Sequence, residues 1–145
     1  MTANARLLVL ISLACIAPLP ACTDAGAVRR QSVPGGDAER GGRRIVDYGC
    51  GSCHVIPGIP AANGRVGPPL TDFADRAYVA GILVNEPDAV VSWIQNPPAH
   101  RPGTAMPVLG VTEADARDIA AYLYTLGSSG LGPPFLIPVR RLPGH

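Results

Sequence analysis

The clearest apolar pattern lies near the end of the chain, where Ile119, Tyr122, Leu123 and Leu126 recur at helical spacing and form one apolar face. Just before them, Thr112-Glu-Ala-Asp115 has the form of a capping box, with aspartate where glutamate is usual, and Gly127 stands where such a helix ends. A second helix is predicted over residues 85–94. The proline of Asn85-Glu-Pro-Asp88 fits a first turn, Ala89-Val-Val-Ser-Trp-Ile94 continues it, and Pro97 stops it. Another is predicted over residues 37–48, with Asp37 as N-cap, Glu39 in the first turn and Gly49 at the end. Gly41 and Gly42 each weaken it by about 1 kcal/mol relative to alanine, so either one of them permits a close helix contact or the helix is simply poor. Residues 73–83 are expected to hold a short helix. No alternating strand pattern or hairpin signal is read, which makes the expected class all-α.

The two ends differ in kind from this middle. Residues 1–21 read as an export signal: Arg6 is a thin positive region, residues 7–17 are an apolar run that contains Cys15, and small residues follow. The run is too short to span a bilayer comfortably. Leu19-Pro-Ala-Cys22 resembles a bacterial lipobox, in which the cysteine becomes the acylated first residue, although a proline two places before it is untypical. The alternative is ordinary cleavage after Ala25-Gly-Ala27, leaving a soluble periplasmic protein. Residues 22–36 have the composition of a flexible tether, and residues 127–145 read as a Pro-rich extension in which Phe135-Leu-Ile is apolar enough to dock on this protein or a partner. Residues 37–126 remain as the folded domain, short enough to bury only a modest share of its surface unaided. Loss of Arg6 leaves 11 arginines against 11 carboxylates, a balance that speaks against nucleic acid as a partner.

Cys50-Gly-Ser-Cys53-His54 carries the candidate chemistry. The two vinyl groups of a haem lie on one edge of the macrocycle, so thiols that add to them must be joined by a short link. An imidazole directly after the second thiol is then held beneath the iron as proximal ligand. A thioredoxin-like pair would need a βαβ context, and a zinc site four donors, where His100 and His145 are the only further histidines. A plain disulfide or thiol pair is the remaining alternative. Met106 lies 52 positions after His54, in Pro102-Gly-Thr-Ala-Met106-Pro107, a punctuated loop that excludes helix interior. A methionine is ordinarily core filler, but this setting makes it the candidate second axial ligand, with His100 as an alternative.

Together these residues resemble the class I, small mono-haem c-type cytochrome family across residues 37–126. The resemblance implies a few helices wrapped around one haem c, bound covalently through Cys50 and Cys53, with His54 and Met106 as metal ligands. Gly67-Pro68-Pro69-Leu70 is similar to the family's segment after the attachment site, which brings Leu70 to the haem and makes the Pro68 carbonyl the acceptor for Nδ1-H of His54. A ligating imidazole needs its second nitrogen tied down; a proline in a tight turn is the alternative. The family's contact between first and last helix implies Gly42 and Val46 against Ile119 and Tyr122, with Val46 where an aromatic is usual. Trp93 takes the place of an aromatic near the methionine, with core packing as the alternative, and Thr104 resembles a threonine that helps satisfy a haem propionate.

An iron with both axial positions filled by protein has no easy place for a substrate, yet it passes an electron with little rearrangement. The expected function is thus a periplasmic single-electron carrier, not an enzyme, serving redox partner proteins such as a terminal oxidase. Short oxidase-linked bacterial cytochromes, including lipoproteins, carry similar loops. The rivals are a fixed electron-entry subunit of a larger membrane complex and a haem peroxidase, which would need Met106 off the iron. The chain has no lysine, and the segments around the attachment site and the methionine are uncharged, so docking is expected to be apolar and weakly steered.

Overall fold

A computed structural model describes residues 31–127. The expected signal, Cys22, most of the tether and the extension from residue 128 lie outside the described residues, among which no helix is long and apolar enough to cross a membrane.

Helix α1 (Ala38–Asp47) begins where the extended Asp37 accepts the Arg40 amide at 2.7 Å. It ends at Gly49, whose φ of +67° lets its amide turn back to the Val46 carbonyl at 3.0 Å. Helix α4 (Glu113–Leu123) is capped by Thr112, whose Oγ1 accepts the Asp115 amide at 3.2 Å while its hydroxyl donates to the Asp115 carboxylate at 2.9 Å. The two helices cross closely. A Cβ on Gly41 would lie 2.0 Å from the Asp118 carbonyl oxygen and 3.0 Å from Tyr122 Cβ, so only glycine fits there. Ile45, Ile119 and Tyr122 are buried beside the crossing, whereas Val46 is 53% exposed. The expected pair Gly42 and Val46 is therefore corrected to Gly41 and Ile45. One residue is about 100° of helix rotation, enough to turn Val46 out of the contact.

The crossing is also held by charge. Asp118 is buried and accepts Nε and Nη2 of Arg40 at 2.8 Å each, with the Asp37 amide at 2.8 Å as a third donor. Burial pushes its carboxyl up, but the Arg40 guanidinium and the Asp37 amide outweigh that and leave it below the usual carboxylate range. Arg44 and the Tyr48 hydroxyl converge on Asp115 at 2.7 and 2.8 Å.

Between α1 and α4 lie α2 (Pro87–Gln95) and the single turn α3 (Pro97–His100). Pro97 ends α2 as expected and also opens α3, since a proline suits a first helical position. The short helix expected over residues 73–83 is corrected to one 3₁₀ turn, Phe73–Asp75, followed by a small hairpin of β1 (Tyr78–Val79) and β2 (Leu83–Val84). Tyr78 pairs with Val84 and Val79 with Leu83. Ala80 and Gly81, with φ of +53° and +72°, are the central residues of a turn closed by the Ile82 amide on the Val79 carbonyl at 3.1 Å, and Ile82 completes a three-residue connection. Among the described residues the rest is helix, turn and irregular chain, with one isolated antiparallel bridge between Val55 and Asn63.

The last helix is shorter than its periodicity. After Leu123 the amides of Thr125 and Leu126 reach back only three residues, at 2.9 and 3.0 Å, and this tighter turn buries Leu126. The Leu126 carbonyl then accepts the Ala74 amide at 2.8 Å, so tertiary pairing, not Gly127, decides where α4 stops.

Candidate haem site

Helices α1, α2 and α4 form the apolar side of a half-open cleft of about 710 Å³, with Ile45, Val90, Ile94, Ile119 and Leu123 in its wall. The volume is in the range of cofactor pockets. Cys50, Cys53, His54, Pro68, Leu70, Trp93, Thr104 and Met106, all eight residues nominated from the sequence, line this one cleft.

The attachment loop is shaped by close backbone approaches. After the left-handed Gly49 the chain makes a 3₁₀ turn, Cys50–Ser52, and the His54 amide donates to the Cys50 carbonyl at 3.1 Å. The loop is pinned from below by Gly64 and Gly67. The Gly64 amide donates to the Gly51 carbonyl at 3.1 Å and the Gly67 amide to the Cys53 carbonyl at 2.8 Å. A Cβ on Gly67 would sit 2.2 Å from the His54 ring, so glycine is required for the imidazole to lie where it does. From the other side Tyr122, whose hydroxyl is pushed up to about 12 by burial, donates to the Pro57 carbonyl at 2.7 Å. Both cysteines are half-buried and unpaired, and burial pushes the Cys50 thiol up.

Nδ1 of His54 lies 2.7 Å from the Pro68 carbonyl oxygen. A carbonyl only accepts, so Nδ1 carries the hydrogen and Nε2 keeps a free lone pair, the tautomer a metal ligand needs. Thr104 Oγ1 accepts the Met106 amide at 3.3 Å, which sets the turn presenting the methionine. Trp93 is nearly buried, its ring centroid 6.4 Å from that of His100. His100 is not part of the cleft wall. Its Nε2 lies 2.8 Å from Ser92 Oγ instead.

Two charged wall residues were not picked out from the sequence, Arg76 and Arg101. Arg76 donates to the carbonyls of Pro69 and Thr71 and lies 5.7 Å over the Phe73 ring. Arg101 donates to the Ala80 carbonyl at 3.1 Å. A signal existed for the second: Arg101 is the one charged residue between Asp88 and Glu113. Among the described residues no carboxylate lines the cleft. Two thiols at its edge, an imidazole with a bare Nε2, a thioether, an apolar wall and two guanidinium groups fit a haem, a flat apolar macrocycle with acidic side chains.

Comparison with known proteins agrees with this geometry. Residues 39–127 match the cytochrome c family. The cytochrome c of Euglena viridis is 30% identical over 101 residues, covering 63% of this chain and 98% of its own length. Cytochrome c oxidase subunit 2 of Alkalihalophilus pseudofirmus is 31% identical over 90 residues, 61% of this chain, and that of Bacillus subtilis 29% identical over 92 residues, 62% of this chain. The chain spans about a quarter of the length of those two subunits, 25% and 26%. A match across the helical domain, and a relative covered almost end to end, lead to one conclusion: the chain belongs to the cytochrome c family, whose members bind haem c covalently and are electron carriers rather than enzymes, and Cys50 and Cys53 fit its attachment motif.

Proposed function

We propose that this chain is an exported, periplasmic single-electron carrier whose haem iron is bound by His54 and Met106, and that it passes electrons between respiratory redox proteins, with a terminal oxidase as acceptor. The observation that carries this reading is the presence of His54, with Nδ1 tied to Pro68 and Nε2 bare, and Met106 on the wall of the same cleft. The bound haem supplies a one-electron change between ferric and ferrous iron. The chain's residues hold that centre fixed: His54 is locked by Gly67 and Pro68, Met106 is set by Thr104, and the wall from α1, α2 and α4 keeps water from the macrocycle. With both His54 and Met106 bound to it, the iron would have no position open to a substrate. Their places in the wall support a part for Pro68, Leu70, Trp93 and Thr104 in the haem surroundings.

The oxidase as acceptor is supported by the likeness to part of two oxidase subunits. Export is supported by the apolar run of residues 7–17, and tethering by an acyl group on Cys22 is supported by the lipobox-like Leu19-Pro-Ala-Cys22. On that reading residues 1–21 are removed, residues 22–36 are the tether, residues 37–126 the cytochrome domain and residues 127–145 an extension. For docking, Val66 at the cleft mouth is 73% exposed and Leu109 41%, with Val108 beside it at 57%, an apolar rim around the expected haem edge.

The test is the spectrum and intact mass of protein purified from a host able to attach haem. Expected are the mass of one haem, an acyl mass in the membrane fraction, and a weak far-red band in the ferric form that vanishes in Met106→Ala together with a fall in potential. A ferric spectrum of Met106→Ala identical to the parent's would remove the methionine from the iron.

A further inference from the structure

The loop that presents Met106 is thinly held. Among the described residues no backbone amide between Val108 and Val111 donates to another backbone group, and the bonds made by Thr104 and Met106 stay within three residues. Among the described residues, one hydrogen bond ties residues 101–111 to a distant part of the chain: Nη1 of Arg101 donates to the Ala80 carbonyl at 3.1 Å, 21 positions away. That carbonyl belongs to the hairpin turn, where Ala80 holds a left-handed φ of +53°. From Arg101 the link continues to the ligand. Its carbonyl accepts the Thr104 amide at 3.1 Å, and Thr104 Oγ1 accepts the Met106 amide at 3.3 Å. Arg101, Ala80, Thr104 and Met106 all line the cleft, and among the described residues no side-chain carboxylate forms an ion pair with the Arg101 guanidinium.

We propose that Arg101 is the positioning residue of the methionine loop: by bracing the loop to the hairpin turn it sets how readily Met106 gives up the iron to an outside ligand. The inference rests on the His54/Met106 reading above and adds the device that guards its weaker half. To let a ligand in, the loop must swing away from the cleft, and Arg101 cannot follow without leaving Ala80. The cost of that opening is part of the apparent affinity for any entering ligand. A single hydrogen bond at a partly solvated site changes such an equilibrium about fivefold.

The probe is imidazole, titrated into the ferric holoprotein while the far-red band is followed. In Arg101→Gln, imidazole should bind about fivefold more tightly than in the parent. Arg101→Lys keeps a charged N–H donor and should recover at least half of the difference. Urea unfolding run alongside separates the brace from general stability. Equal imidazole affinity in parent and Arg101→Gln overturns the inference, whether or not the urea midpoint moves, and so does an Arg101→Lys variant that behaves like Arg101→Gln. A parent protein without a far-red band overturns the methionine ligation itself, and the brace with it, whereas a parent with the band and unchanged variants overturns the brace alone.

Discussion

Gly41→Ala is the sharpest probe of how this domain is held, because two effects of opposite sign meet at that residue. Alanine inside a helix is worth about 1 kcal/mol over glycine, so a helix judged by propensity alone would gain stability. The crossing predicts the reverse. The new Cβ would lie 2.0 Å from the Asp118 carbonyl oxygen, and real contacts of this kind are not closer than 3.0 Å. The obstacle is backbone of α4, which cannot turn aside as a flexible side chain would, so α1 and α4 must part by roughly 1 Å or more. Overpacking of a close-packed contact costs up to about 3 kcal/mol, which leaves a net loss of about 2 kcal/mol after the propensity gain. With a urea m-value of about 1 kcal/mol per molar for a small domain, the unfolding midpoint falls by about 2 M at unchanged slope. The assay is urea unfolding of the holoprotein followed by helix circular dichroism. A Gly41→Ala midpoint equal to the parent's, or above it, would mean that the helices do not approach as closely as described.

Three further outcomes follow from the same structure. Ala80 holds a left-handed conformation that costs an L-residue about 1–2 kcal/mol, so Ala80→Gly should raise stability by about 0.5–1 kcal/mol after glycine's entropy is subtracted, read as a higher melting temperature. The Asp118 carboxyl is depressed in the folded state, so its contribution is present above the unfolded value of about 3.9 and is lost as pH falls through the lower folded value. Asp118→Asn should therefore be less stable than the parent at neutral pH, with the gap closing below about pH 4; a gap independent of pH contradicts the assignment. Finally, the apolar rim of Val66, Val108 and Leu109 and the lack of carboxylates in the cleft predict an electron-transfer rate with a redox partner that depends weakly on ionic strength, and a steep fall with added salt would argue for charged docking instead.

Much of the local structure was legible in the chain because it depends on neighbours in sequence. Asp37 and Thr112 cap the helices they precede, and Gly49 closes α1, since each bond involved spans at most four residues. Other expectations failed where distant parts of the chain decide. The periodicity that ran on to Leu126 says nothing of the Ala74 amide that captures the Leu126 carbonyl. The hairpin was missed because its strands are two residues long, too few for an alternating pattern to emerge, and because Ala80 is an unusual residue at a left-handed turn position. Gly42 was expected at the crossing that Gly41 makes, and between adjacent glycines only the packed partner can choose.

The cytochrome c family was legible in the sequence before any fold was seen, because the spacing of Cys50, Cys53 and His54 is imposed by the cofactor rather than by the surrounding protein. The sequence likewise marked Met106 by its setting. Tertiary structure alone decided that all eight nominated residues share one cleft, that Arg76 and Arg101 stand in its wall, and that Gly67 leaves room for the ring of His54. These are contacts between segments far apart in the chain, and no pattern of neighbouring residues encodes the distance between two segments until the helices have packed.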